Sequence, residues 1–210
     1  MRVIGGALGG RSLVAPKGHS TRPTSDRVRE ALFNVLGDVT GLCVLDLYAG
    51  TGALGLEALS RGATRAVFVE NARTALDALR RNIASLDVQR STVIVSSPVL
   101  RAVRGLSGHE LFDLVFVDPP YVDLAEAAEA IEQLVGAGRC SERACVVLEH
   151  ASRDAAPDLA GLERGPTRKY GDTSLSFYAV GPKQPDENER GTGDFAAGSC
   201  DDVSSKATDG

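Results

Sequence analysis

Val44-Leu45-Asp46-Leu47-Tyr48-Ala49-Gly50-Thr51-Gly52-Ala53-Leu54-Gly55 is the stretch that decides the fold of this chain. A short apolar run, the signature of a strand buried on both faces, ends in a turn whose glycines open directly into a helix-forming segment. Glycines at such a junction let backbone approach a ligand closely and place amide N–H groups and a helix N-terminus beside it. Residues 50–55 spell G-x-G-x-x-G, a pattern that by itself also suits a dinucleotide or a simple packing turn. Two acidic residues narrow it. Asp46 stands four residues before Gly50, and Glu70 closes the next apolar run, placed to accept hydrogen bonds from ribose hydroxyls.

Outward from this turn the chain alternates strand and helix. Cys43–Leu47, Ala66–Val69, Thr92–Val95, Leu114–Val117 and Ala144–Leu148 read as strands, with helices expected near Ala53–Ser60, Ala72–Leu86, Pro98–Gly105 and Leu124–Val135. Apolar strands separated by helices predict a doubly wound, mostly parallel sheet covered on both faces. Thr167–Tyr170 and Leu175–Val180, joined through Gly171-Asp172-Thr173, predict a terminal antiparallel hairpin and a total of seven strands. Ahead of the first strand, Arg2–Ile4 and Arg11–Ala15 flank a glycine-rich connection and suggest a flexible hairpin. A helix should follow from Pro23-Thr24-Ser25, burying Val28, Ala31, Leu32, Val35 and Leu36 along one stripe.

The 210 residues carry 23 Lys+Arg against 28 Asp+Glu, a net charge of −5, with 43% hydrophobic residues. That balance describes a globular chain with an ample core. No apolar run is long enough for a membrane span and the start lacks a signal peptide, so a cytoplasmic protein is expected. Four cysteines at irregular spacing fit neither a disulfide framework nor a metal site. A negative net charge speaks against a nucleic-acid partner until it is divided along the chain. Residues 181–210 are rich in Pro, Gly, Ser, Asp and Glu and read as a disordered tail; three cations there face seven carboxylates, a net of −4. Residues 1–30 hold six cations against two carboxylates, a net of +4. The division expected is therefore a basic front end (1–38), a catalytic domain (39–180) and an acidic tail (181–210).

The fourth strand runs into Asp118-Pro119-Pro120-Tyr121. Two prolines fix φ and remove two N–H donors, leaving a rigid loop that offers the Asp118 carboxylate and the Pro119 carbonyl as acceptors. The carboxyl ends of the strands form the ligand crevice of a doubly wound sheet, which puts this loop beside the glycine turn. An acceptor-only loop suits a group with two N–H donors, such as the exocyclic amine of a nucleobase. Accepting both bonds orients the nitrogen and stabilises the positive charge that develops as it attacks a methyl group. Tyr121 can stack on a base that has left its helix.

The arrangement D-x-Y-x-G-x-G with an acidic strand end resembles the S-adenosylmethionine site of Rossmann-like class I methyltransferases. The resemblance implies that Asp46, Tyr48, Gly50, Thr51, Gly52, Glu70 and Asn71 hold the cofactor, with Asp46 near its amino group and Glu70 on its ribose. It also places an adenine contact near Ser97. D-P-P-Y is similar to the signature of amino methyltransferases acting on adenine N6, cytosine N4 or guanine N2, and makes Asp118, Pro119, Pro120 and Tyr121 the catalytic loop.

The front end, Arg2-Val3-Ile4-Gly5-Gly6, Gly10-Arg11-Ser12-Leu13, Pro16-Lys17-Gly18 and Arg22-Pro23-Thr24-Ser25-Asp26-Arg27-Val28-Arg29-Glu30-Ala31-Leu32-Phe33-Asn34, together with Tyr170-Gly171-Asp172-Thr173, closely resembles the RsmD-type bacterial methyltransferases of 16S ribosomal RNA. The resemblance spans about residues 1–180. It implies transfer to guanine N2 in 16S rRNA, within an assembling small ribosomal subunit; the transfer chemistry requires no metal, and since nothing in the sequence demands an oligomer a monomer is expected. Arg11, Lys17, Arg22, Arg27 and Arg29 are then candidates for phosphate contact. The competing readings are a DNA adenine or cytosine amino methyltransferase, for which 210 residues leave no target-recognition insertion, and a non-catalytic RNA-binding factor, which has no need of an intact Asp118. His19 and His109 fall in expected loops, and His150 at a strand end reads as a structural histidine.

Overall fold

A computed structural model describes residues 1–15, 25–106, 111–120 and 123–181. Lys17, His19, Arg22, His109, Tyr121 and the tail from 182 onward lie outside the described residues.

The apolar runs form one seven-stranded sheet of β1 (Cys43–Leu47), β2 (Arg65–Glu70), β3 (Thr92–Ser96), β4 (Phe112–Val117), β5 (Cys140–Ala151), β6 (Leu162–Tyr170) and β7 (Thr173–Val180), in the order β3-β2-β1-β4-β5-β7-β6. β1 to β5 run parallel; β7 is antiparallel to both β5 and β6. The helices are α1 (Asp26–Leu36), α2 (Ala53–Ser60), α3 (Arg73–Leu86), α4 (Val99–Gly105) and α5 (Leu124–Gly136). This is the doubly wound class I arrangement expected from the strand–helix alternation. The direction of winding reverses between β1 and β4, where such sheets place their ligands.

Alternation along each strand sorts the core into two layers. Val44, Phe68, Leu114, Phe116, Val147 and Leu175 pack with Leu32, Phe33, Leu56 and Leu79 of the first three helices; Leu45, Leu47, Val115, Val117, Val146 and Leu148 pack with Val99, Ile131 and Leu134 of the last two. Among the described residues no helix is long and apolar enough to cross a membrane.

Three departures have physical causes. β6 begins at Leu162, not at Thr167, and runs through Pro166: it is the edge strand, where a missing N–H costs no ladder bond, and the register shifts between Arg164 and Thr167 to absorb the interruption. β5 extends through the polar residues 141–143, which hid its start. In α1 the most buried positions are Arg29, Leu32 and Phe33, so the stripe is rotated from the one expected. Phe33 reaches the sheet by packing on Phe116, ring centroids 5.8 Å apart, and lies under the Arg61 guanidinium.

The amino-terminal segment makes one strand-like bridge, Arg2 with Ser12, and is stapled rather than hinged. The Glu57 carboxylate accepts from the Ile4 and Gly5 N–H groups at 2.6 and 2.8 Å, and Ser60 Oγ accepts from Leu8 N–H at 2.9 Å. Gly6 has φ +74°, and a Cβ there would lie 1.9 Å from the Ser60 carbonyl oxygen, so no other residue fits. The expectation of a flexible hairpin gives way to a segment fixed by polar side chains of α2.

Candidate active site

The glycine turn after β1 is built as a set of donors. Tyr48 and Gly50 adopt positive φ (60° and 56°), as does Gly52 at 80°. A left-handed tyrosine is strained and persists only where its surroundings fix it; here its hydroxyl donates to Glu126 on α5 at 3.2 Å. Burial, with the Glu126 charge adding to it, pushes the Tyr48 phenol well above its ordinary pKa, so it remains a donor. At Gly52 a Cβ would meet Leu79 at 2.4 Å, and at Gly55 it would meet the Phe68 ring at 2.4 Å. Both glycines are thus required by close packing of α2 on β2 and α3. Gly52 has no side chain to cap α2, so the first-turn N–H groups of that helix lie at the crevice.

Two carboxylates hold the turn. Asp46 lies beneath it, 2% exposed, with Oδ2 accepting from Gly55 N–H at 2.9 Å. Desolvation raises its pKa well above the usual carboxylate range against the opposing Gly55 bond, and the charges of Asp118 and Glu70 push it further. Glu70 accepts from the N–H groups of Gly50, Asn71 and Ala72, each at 2.8 Å, joining the turn after β1 to the one after β2. Its backbone carbonyl takes the Ser97 N–H at 3.1 Å, bringing the end of β3 to the same place. Asp46, Tyr48, Gly50, Thr51, Gly52, Glu70, Asn71 and Ser97 therefore gather at three neighbouring strand ends, with Asn71 exposed and Ser97 half-buried.

Beside them, β4 pairs with β1 so that Val117 stands opposite Leu47 and Asp118 emerges level with Tyr48. Pro119 is buried, Pro120 exposed, and the Pro120 carbonyl accepts from Asp123 N–H at 2.8 Å, closing a turn into α5. Asp118 and Pro119 thus meet the glycine turn as expected.

The basic front end divides. Arg27 is exposed in the first turn of α1, and Arg11 is exposed with its guanidinium donating to the Ser85 carbonyl on α3. Arg29 corrects the expectation of a phosphate contact: it is fully buried, bonded to Asp26 at 2.9 Å and to the Arg2 carbonyl, with Glu57 3.8 Å away. A buried guanidinium held by two carboxylates positions α1 against the amino-terminal segment and cannot reach solvent.

Residues not singled out from the sequence also bear on the site. Asn82 on α3, fully buried, pairs with both the N–H and C=O of Val14 at 2.7 and 3.1 Å and donates to the Thr51 carbonyl at 2.9 Å, tying the front segment to the glycine turn. Glu57 and Ser60 could have been suspected as the polar positions of an otherwise apolar helix. Glu149, 6% exposed, lies near the end of β5, next to the proline loop. His150 is satisfied structurally by Ser176 Oγ at 2.8 Å and the Ala151 carbonyl at 3.1 Å.

The donor set suits S-adenosylmethionine: N–H groups at the start of α2 for a carboxylate and an acidic strand end for ribose hydroxyls, beside Gly50, whose bare backbone a ligand can approach closely. A family model described as conserved hypothetical protein 95 matches residues 1–179. Ribosomal RNA small subunit methyltransferase D of Escherichia coli K12 is 38% identical over 161 residues, covering 76% of this chain and 79% of that one. YlbH of Bacillus subtilis strain 168 is 36% identical over 183 residues, covering 85% and 98%. The solved structure of yhhF from Escherichia coli superimposes with a TM-score of 0.75 at 34% identity, over 86% of this chain and 97% of the other. A glycine turn beside a proline loop, together with a likeness over most of the chain to these proteins, leads to one conclusion: the chain belongs to the RsmD family of ribosomal RNA methyltransferases, whose methyl donor is S-adenosylmethionine.

Proposed function

We propose that this protein methylates the exocyclic N2 amine of a guanine, guanine 966 of 16S rRNA, during maturation of the small ribosomal subunit. The observation that carries the reading is the juxtaposition of a glycine turn that donates and a proline loop that accepts, at the adjacent ends of β1 and β4. When bound, S-adenosylmethionine supplies a sulfonium methyl group, an electrophile that needs no metal. The Asp118 carboxylate and the Pro119 carbonyl accept the two amine hydrogens, which aims the nitrogen lone pair at the methyl carbon and stabilises the ammonium character of the transition state. The amine leaves this step protonated, and Asp118 is placed to take its proton. Tyr121, next in sequence, stacks on the extruded base.

Arg11 and Arg27, with Lys17 and Arg22 between them in sequence, contact phosphates of the flanking RNA. The enzyme acts as a monomer, and the acidic tail is dispensable for transfer. Glu70 holds the cofactor ribose, and Ser97 and Asn71 flank its adenine.

The test is transfer of a tritiated methyl group to small subunits, naked 16S rRNA and duplex DNA, followed by nucleoside analysis of the product. N2-methylguanosine from small subunits or rRNA is the expected result; N6-methyladenine or N4-methylcytosine overturns it.

A further inference from the structure

The proline loop explains how an amine is held and is indifferent to which base carries it. Adenine N6, cytosine N4 and guanine N2 all present two N–H donors. They differ at the neighbouring ring nitrogen: in adenine and cytosine it is an unprotonated acceptor, whereas guanine N1 carries a hydrogen. A site that selects guanine needs an acceptor beside the amine-binding loop.

The sheet provides one. β4 and β5 are parallel with Val117 opposite Leu148, so the next residues, Asp118 and Glu149, emerge side by side, about one strand spacing of 4.8 Å apart. Val115, Val117, Val146 and Leu148 all pack under α4 and α5. Alternation therefore sends Asp118 and Glu149 to the opposite face, the one shared by Asp46. Asp118 is close enough to Asp46 for its charge to raise the Asp46 pKa, in keeping with that facing. Glu149 is 6% exposed and lines a small gap together with Pro119, Leu124, His150, Ala151 and Asp154, which puts it beside the proline loop. On β7 its pairing partner is Leu175, 1% exposed, which makes the carboxylate the polar member of that row between the loop and an apolar wall. A carboxylate has about four lone-pair positions, so a protein partner on one leaves others for a ligand.

We propose that Glu149 is the base-selecting residue of this site, accepting the N1–H of guanine while Asp118 and Pro119 accept the N2 hydrogens. The inference rests on the reading of the proline loop as an amine-binding element. With guanine, three donors meet three acceptors. With adenine or cytosine, the ring nitrogen would face a buried carboxylate, acceptor against acceptor, and both groups would lose their hydration without replacement. Sites built around such a hydrogen bond reject analogues that lack it far more strongly than apolar pockets reject a missing methylene.

2-Aminopurine separates the two parts of this arrangement, because it keeps the exocyclic amine at C2 but has no hydrogen on N1. The experiment compares single-turnover methyl transfer by wild type and Glu149→Gln on small subunits assembled from 16S rRNA carrying guanine or 2-aminopurine at the target nucleotide. Wild type is expected to favour guanine by about 100-fold or more. Glu149→Gln, whose amide can donate to an unprotonated N1, is expected to bring the ratio below about tenfold by losing guanine and gaining 2-aminopurine. Its cofactor affinity should stay at the wild-type value. An unchanged ratio in Glu149→Gln overturns the role of Glu149 and leaves the assignment of guanine N2 standing. Equal rates of wild type on the two substrates also overturn it, without reference to any variant. Transfer by wild type to a base other than guanine overturns both readings.

Discussion

The loops after β1 and β4 leave adjacent strand ends at one edge of one sheet, yet they are built with opposite backbone chemistry. The first uses glycines, with Gly50 and Gly52 in left-handed conformations and no side chain at the helix N-cap, so that the N–H groups not already held by Asp46 and Glu70 are the ones it presents. The second uses two prolines, so that it presents only oxygen. In the proposed reaction the difference lets one crevice hold an electrophilic cofactor and an amine at once: donors would face the anionic and hydroxyl groups of the first, acceptors the hydrogens of the second. Each loop also has a carboxylate of its own kind. Glu70 spends its bonds holding three backbone N–H groups, whereas Asp118, half-buried and level with Tyr48, is the acceptor proposed for the substrate amine.

Removing the proline loop's carboxylate should separate the two loops most clearly. In Asp118→Ala turnover falls by about 10³-fold or more while cofactor affinity changes by less than about threefold, read by single-turnover transfer and calorimetry; Asp118→Asn, which keeps an acceptor oxygen, loses less. A parallel loss of cofactor affinity would mean that the loops are not separable.

Glu70→Ala attacks the other side. Three N–H groups lose their acceptor, and cofactor affinity should fall between about 10- and 100-fold, with a smaller change in the rate at saturating cofactor. The opposite split, in the rate but not in affinity, would break the comparison.

Asp46→Asn sharpens it through pH. The folded-state pKa of Asp46 is raised above the value of 3.8 expected when unfolded, so the folded protein binds the proton more tightly and the wild type loses stability as pH climbs from about 4 through the folded pKa. The amide keeps an oxygen for Gly55 N–H and does not titrate. The melting temperature of Asp46→Asn relative to wild type should therefore rise with pH; a difference that is flat or declines would show that Asp46 carries no such burden.

The smallest effect belongs to Pro120→Ala, which restores one N–H and some freedom to the acceptor loop. Transfer should slow by about fivefold, the equivalent of about 1 kcal/mol, with no change in product. Loss approaching that of Asp118→Ala would make Pro120 more than a stiffener.

The site's local pieces were legible because each is written in contiguous residues. The strand–turn–helix of residues 44–55, the Asp-Pro-Pro of the fourth strand end and the terminal hairpin around Gly171 appear where the sequence patterns put them. Boundaries failed where composition misleads: Pro166 reads as a strand breaker until an edge position makes it harmless, and the polar residues opening β5 carry no apolar signal. The front segment was misread for a related reason. Its glycines suggest freedom, but Gly6 is a glycine because the Ser60 carbonyl leaves no room for a side chain.

By itself, the sequence determined the parallel sheet, the glycine turn and the proline loop, since the hydrophobic period and the chemistry of Gly and Pro act over a few residues and do not depend on distant partners. Only the tertiary structure decided which charges are inside. Arg29 looks like one more cation of a basic front end until Glu57, 28 positions away in a helix not yet formed, closes over it. Glu149 looks like an ordinary strand residue until the register of β4 against β5 places it level with Asp118. Strand register and helix rotation are settled by packing across the whole sheet, and they select, from residues of the same type, those that meet the substrate and those that hold the fold.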